Sequence, residues 1–154
     1  MKKLFAAILS VCMMLSLAPQ AADAAALPVS ETSEVVWQDD DYSIVMTLTV
    51  YESDTLTRAT KTKTASKRYD IVNERGSVMA AYTLTGIFSY TGTSATCTFA
   101  DCAVSTDGSL RFTHKDAYKQ GNQAIGSFVA QYNATGNTIS KTLTLTCSAT
   151  GQIS

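Results

Sequence analysis

The stretch "SVMAAYTLTGIFSY", residues 77 to 90, alternates apolar and polar side chains along most of its length. Val78, Ala80, Tyr82, Leu84, Phe88 and Tyr90 fall on one side of an extended chain, and Thr83, Thr85 and Ser89 fall on the other. Successive side chains of a strand point to opposite faces, so a period of two predicts a strand packed on one face and wet on the other. The same reading extends outward. "YSIVMTLTVY" from Tyr42 aligns Ile44, Met46, Leu48 and Val50, "SFVAQY" from Ser127 aligns Phe128, Ala130 and Tyr132, and "TISKTLTLTC" from Thr138 aligns Ile139, Leu143, Leu145 and Cys147. Threonine occurs 22 times and suits a pleated, half-solvated surface.

Between these segments stand turn sequences: "ERGS" at Glu74, "YTGT" at Tyr90, "TDGS" at Thr106, "KQGN" at Lys119 and "ATGN" at Ala134. Glycine supplies the positive φ that tight turns demand, and Asp-Gly is a strong hairpin signal. The only prolines, Pro19 and Pro28, lie ahead of the patterned region, which contains no amphipathic helical repeat. The expectation is an all-β chain of about seven strands: one antiparallel, immunoglobulin-like β-sandwich spanning residues 35–154, with a small closed barrel as the alternative.

The first residues have the layout of a secretory signal peptide. Lys2 and Lys3 precede a mostly apolar run of fourteen residues, Leu4 to Leu17, and small residues ending at Ala24 or Ala26 offer cleavage points. The apolar run is shorter than the roughly 20 residues a membrane span needs. Residues 1–26 are therefore expected to be a leader that carries Cys12 away with it, 27–34 a flexible tail, and the mature chain a secreted domain without a further span. Its formal charge, about −2 once Lys2, Lys3 and Asp23 are gone, gives no reason to expect a nucleic-acid partner. Seven acids and no base lie between Glu31 and Asp54, and six bases lie between Arg58 and Arg75, with Asp70 and Glu74 among them. Two solvated strand edges account for this, with a polar docking surface as the sharper reading. Asp39 to Asp41 lack the spaced loop of a calcium site.

"YTLTGIFSYTGTSATCT" (82–98), "HKDAYKQGNQAIGSF" (114–128) and "SKTLTLTCSATGQIS" (140–154) resemble a group of small secreted proteins of Gram-positive bacteria with no established activity. The resemblance covers roughly the last 80 residues and implies export and an all-β fold. It also implies a disulfide between Cys97 and Cys147, leaving Cys102 as an addition. The residue pattern leaves the pairing open. Cys147 has the parity of Leu143 and Leu145, Cys97 that of Phe99, and Cys102 that of Val104, so Cys102 competes for Cys147 if a bulge falls near Phe99 to Asp101. As a free thiol, Cys102 reads first as a small buried hydrophobe, then as an intermolecular disulfide partner.

No catalytic constellation emerges. His114 is the sole histidine and shares the parity of Leu110 and Phe112, which predicts a partly buried structural imidazole. A Cys102–His114 nucleophile pair lacks an orienting third group, and no GxSxG is present. Cys97, Cys102, His114 and Cys147 make a zinc complement by type but not by spacing, so no metal or other cofactor is expected. Trp37, His114, Lys115 and Tyr118 are the candidate binding-surface residues: Trp37 either packs the end of the sandwich or is a platform for stacking on a sugar, and the others belong to the hairpin "HKDAYKQGN". The functional expectation is a non-catalytic extracellular module binding a protein or glycan. Its alternatives are a protein-directed inhibitor or immunity-type factor and, behind it, a small hydrolase.

Overall fold

A computed structural model describes residues 28–39, 41–53 and 60–154. The expected leader lies outside the described residues, as do Asp40, Asp54 and Arg58 of the charged runs. The described chain is all-β, with eight strands: β1 (Ser30–Gln38), β2 (Tyr42–Ser53), β3 (Lys61–Asn73), β4 (Val78–Tyr90), β5 (Ala95–Thr106), β6 (Leu110–Gln120), β7 (Gln123–Tyr132) and β8 (Thr138–Thr146). They form two antiparallel sheets, β1-β2-β3-β4-β5 and β6-β7-β8. Within each sheet every strand pairs with its neighbour in sequence, so the topology is an up-and-down meander. An immunoglobulin fold interleaves its two sheets in a Greek key, and the described strands do not follow that order. β1 begins at Ser30, inside the segment expected to be a tail.

The glycines of all five turn sequences take positive φ, from 58° at Gly121 to 96° at Gly108. The Asp-Gly turn does not close a hairpin within one sheet. It is the corner between the sheets, because its backbone groups are claimed from both sides. Asp107 N–H donates to Met79 O of β4, while Ser109 O accepts from the backbone N–H of Asn133 and Gly108 O accepts from its side-chain Nδ2.

The inner faces of both sheets feed one core. Tyr82 of β4 stacks on Phe128 of β7 with ring centroids 4.9 Å apart, and Phe112 meets Phe128 edge-on at 5.8 Å. Two glycines let the layers approach this closely. A Cβ added at Gly86 would meet the Phe88 ring at 2.8 Å and Ala124 Cβ at 2.9 Å, and one at Gly126 would strike the Tyr82 hydroxyl and Leu84. Tyr82 Oη, buried at the centre, donates to Asp116 O at 2.6 Å. Along the edge, Lys67 Nζ of β3 donates to Thr144 O of β8 at 2.6 Å, and Lys63 Nζ donates to Gly151 O at 2.9 Å. The facing pairs 82/128 and 86/124, like 67/144 and 63/151, run in opposite chain directions, so facing strands are antiparallel.

The coverage is unequal. The three-stranded sheet stacks on β3, β4 and β5, leaving β1 and β2 as an overhang. Side chains bridge this region where Tyr42 meets Tyr132 and Lys141 lies over the Trp37 ring at 4.8 Å. All nine residues of β1 are exposed.

Candidate functional site

Two bulges decide where the candidate side chains point. In β5, Phe99 pairs with Ile87 but Cys97 pairs with Phe88, so Thr98 is an extra residue. Cys97 is consequently buried at 3% exposure while Phe99 faces solvent at 46%, which corrects the expectation that they share a face. The same bulge brings Cys102 inward opposite Leu84, on the side occupied by Cys97. In β6, Phe112 pairs with Ala130 and His114 with Val129, so Thr113 is extra and every later residue changes face. His114 is therefore exposed on the outer face, with Nε2 3.3 Å from Ser127 Oγ, rather than a partly buried imidazole. An alternation read straight through a bulge inverts everything beyond it.

The four candidate surface residues do not form one surface. His114 and Tyr118 share the outer face of the three-stranded sheet, with Asp116 between them. Lys115 pairs with Phe128 and lies on the opposite face, exposed beside the seam where β6 runs along β5. Trp37 belongs to the overhang.

The outer face of the three-stranded sheet combines rings with hydroxyls. Tyr118 is 48% exposed beside Ile125. Behind it, β7 presents Ser127 and Val129, and β8 presents Ser140, Thr142 and Thr144. Arg111 is held by two bonds to Gln131 Oε1, 3.1 Å from Nε and 2.6 Å from Nη2. No sequence signal singled out this face as a whole. Finding it required knowing that Thr113 is skipped.

The inner face of the overhang is the second candidate. Pairing places Glu34 beside Met46, Trp37 beside Ile44 and Thr32 beside Leu48, all on the core side. Met46, Leu48 and Tyr69 are half-buried there, and Lys67 rises between them and β8. Burial holds the Lys67 ammonium below its ordinary range, an effect that Glu34 opposes. Burial, followed by the same carboxylate, raises Tyr69. A separate cleft of about 380 Å³ lies at the end of the five-stranded sheet, lined by Gln38, Asp39, Tyr42, Asn73 and Glu74 among others.

Cys97, Cys102 and Cys147 stand as thiols. Cys97 N–H donates to Gly121 O and Cys147 N–H to Asn122 O, so consecutive turn residues hold the two buried cysteines. Burial raises both thiols above their ordinary range. His114 lies on the far side of its sheet from these inward cysteines, so neither the Cys102–His114 pair nor the zinc complement is brought together. Among the described residues no group of three or more His, Cys, Asp or Glu side chains is placed to hold a metal ion, and no helix is long and apolar enough to cross a membrane. No family model, no curated protein and no solved structure matches the chain.

Proposed function

We propose that this chain is an exported, non-catalytic binding module, a two-layer β-sandwich whose outer face engages a glycan or protein outside the cell. One observation carries the reading: the bulge at Thr113 turns His114 outward onto the face of Tyr118, in front of a field of serine and threonine hydroxyls. An exposed tyrosine offers a ring to stack on a sugar or an apolar side chain, and the hydroxyls and imidazole supply both donors and acceptors. The leader-like start of the sequence supports export. Retention of the protein on cell-wall preparations or a glycan panel, or recovery of a protein from culture supernatant, is expected and should be lost in Tyr118→Ala with His114→Ala. No retention on either support, or retention untouched by the double substitution, would remove this face as the binding site.

In an oxidising exterior we propose that Cys97 and Cys147 form the disulfide, because the Gly121–Asn122 turn holds both and Cys102 is the less buried third thiol. Closing a loop of roughly fifty residues would stabilise the fold by about 4 kcal/mol. Intact mass after alkylation of the unfolded, unreduced protein should show one label, on Cys102. Three labels would mean that no bridge forms.

A further inference from the structure

We propose that the overhang of β1 and β2 is closed by a second copy of this chain, giving a twofold dimer built from two continuous eight-stranded layers. The geometry follows from strand order. β8 lies over β3, and beyond it no described strand runs over β2 or β1, so that between the buried Ile44 and Val50 the inward Met46 and Leu48 of β2 stay half-exposed. A copy rotated about a twofold axis parallel to the strands would lay its β1 over β2 and its β2 over β1. Its β1 then arrives beside the free edge of β8. The polarity is right: β1 runs with β3, β3 runs against β8, and rotation about the strand direction leaves chain direction unchanged. Each layer becomes β6-β7-β8 of one copy continued by β1-β2-β3-β4-β5 of the other. A two-strand overhang meets a two-strand overhang, so the contact is self-complementary and closes at two copies.

The chemistry favours this occupant. Trp37, 43% exposed with one side of its ring against Lys141 of β8, faces inward with half-exposed Met46 and Leu48 on a strip over which no described strand runs, and these side chains would meet their counterparts in the copy. β1 carries Glu31 and Glu34 and no base, whereas the rim it would join carries Lys141 on β8 and Lys67 beneath it. The Glu34 carboxylate already acts on Lys67 within one chain. Pairing β1 directly with β1 of another copy would set acids against acids, which is disfavoured across strands. The nine-residue β1 and the part of β2 paired with it make a patch roughly 10 Å by 30 Å, and burying it on both copies with two new strand pairings gives on the order of 1,000 Å², the size of a weak, reversible interface. Among the described residues no strand pairs with the outer edge of β8 from Thr138 to Leu143. Beyond that, Lys67 holds Thr144 O, and Ser154 takes both backbone groups of Thr146.

Sedimentation of the purified protein from low to high micromolar concentration tests the proposal. A reversible monomer–dimer equilibrium is expected. Thr142 has the outward backbone parity of Thr144, so Thr142→Pro removes an N–H from the free edge of β8, where proline is tolerated in a monomer. That substitution, and Glu34→Lys, should each weaken the dimer by roughly tenfold or more with the circular dichroism spectrum unchanged. If Thr142→Pro fails to fold, Glu34→Lys at an exposed position carries the test. A protein monomeric at every concentration would overturn the proposal and assign the strip to another occupant. A dimer indifferent to the substitutions would also overturn it, by locating the contact elsewhere. The glycan or protein ligand plays no part in this experiment, so its result is separate from that of the outer-face reading.

Discussion

The half of the molecule where two sheets face each other and the half where one sheet stands alone are made from similar sequence. β2 and β4 are both long alternating strands, "YSIVMTLTVYES" and "VMAAYTLTGIFSY". In β4 the inward residues Ala80, Tyr82, Leu84 and Phe88 are all essentially sealed from solvent. In β2 the inward row is sealed only at Ile44 and Val50, and Met46 and Leu48 between them remain half-exposed. Alternation thus reports which face of a strand is apolar. It does not report whether anything covers that face.

The largest loss of stability should come from hollowing out the covered half. Phe128, fully buried between Tyr82 and Phe112, should cost about 3–5 kcal/mol when replaced by alanine, read as a lowered urea midpoint. A cost under about 1 kcal/mol would mean that the sheets do not share this core. Next comes Gly126→Ala. The added methyl would collide with the Tyr82 hydroxyl and Leu84, and overpacking of this kind costs about 1–3 kcal/mol. Unchanged stability there would show that the layers can part locally without loss.

Tyr82→Phe is a smaller change with a pH signature. It deletes the hydroxyl that donates to Asp116 O and leaves the carbonyl without that donor, at a cost of about 1–2 kcal/mol. Burial, with Cys102 alongside, pushes the Tyr82 hydroxyl well up from its ordinary 10.0, and burial also raises Tyr42, Tyr69, Tyr90 and Tyr132. A tyrosine raised in the folded chain holds its proton there after the unfolded chain has lost it. Its contribution is complete below pH 10.0 and is lost as pH climbs from there through the folded value. Lys67 has the opposite sign, because a depressed ammonium favours folding as pH rises toward 10.5. Five tyrosines against one lysine should give falling stability above about pH 10, with a shallower fall in Tyr82→Phe. A slope identical to that of the parent protein would show that Tyr82 titrates normally.

Much of the fold was legible because threonine and apolar residues alternate cleanly through β2, β4, β7 and β8 and glycines mark the turns. Three things were not. β1, "SETSEVVWQ", has no alternation to read, since neither of its faces is buried within one chain. The bulges at Thr98 and Thr113 leave no mark in composition, yet they decide that Phe99 and His114 face outward and that Cys102 joins Cys97 on the inner side. The Asp-Gly turn signals a reversal, and only its long-range bonds to Met79 and Asn133 make that reversal a corner between sheets. For the candidate site, residue types were legible and their grouping was not, because grouping depends on register and register depends on the bulges.

The uncovered half supplies the smallest effect and the most discriminating one. Trp37 is 43% exposed and rests against Lys141 at 4.8 Å, a contact worth about 0.5–1 kcal/mol at an exposed site. In dilute protein, Trp37→Ala should therefore lower stability by no more than about 1 kcal/mol, far less than truncating an aromatic ring in the core. At high concentration the same substitution should cost more, because the parent protein gains stability from mass action while the variant has lost part of the strip that a second copy would bury. A melting temperature that rises with concentration in the parent and not in Trp37→Ala would tie the exposed tryptophan to assembly. A concentration-independent difference between the two would make Trp37 an ordinary end-cap of the five-stranded sheet.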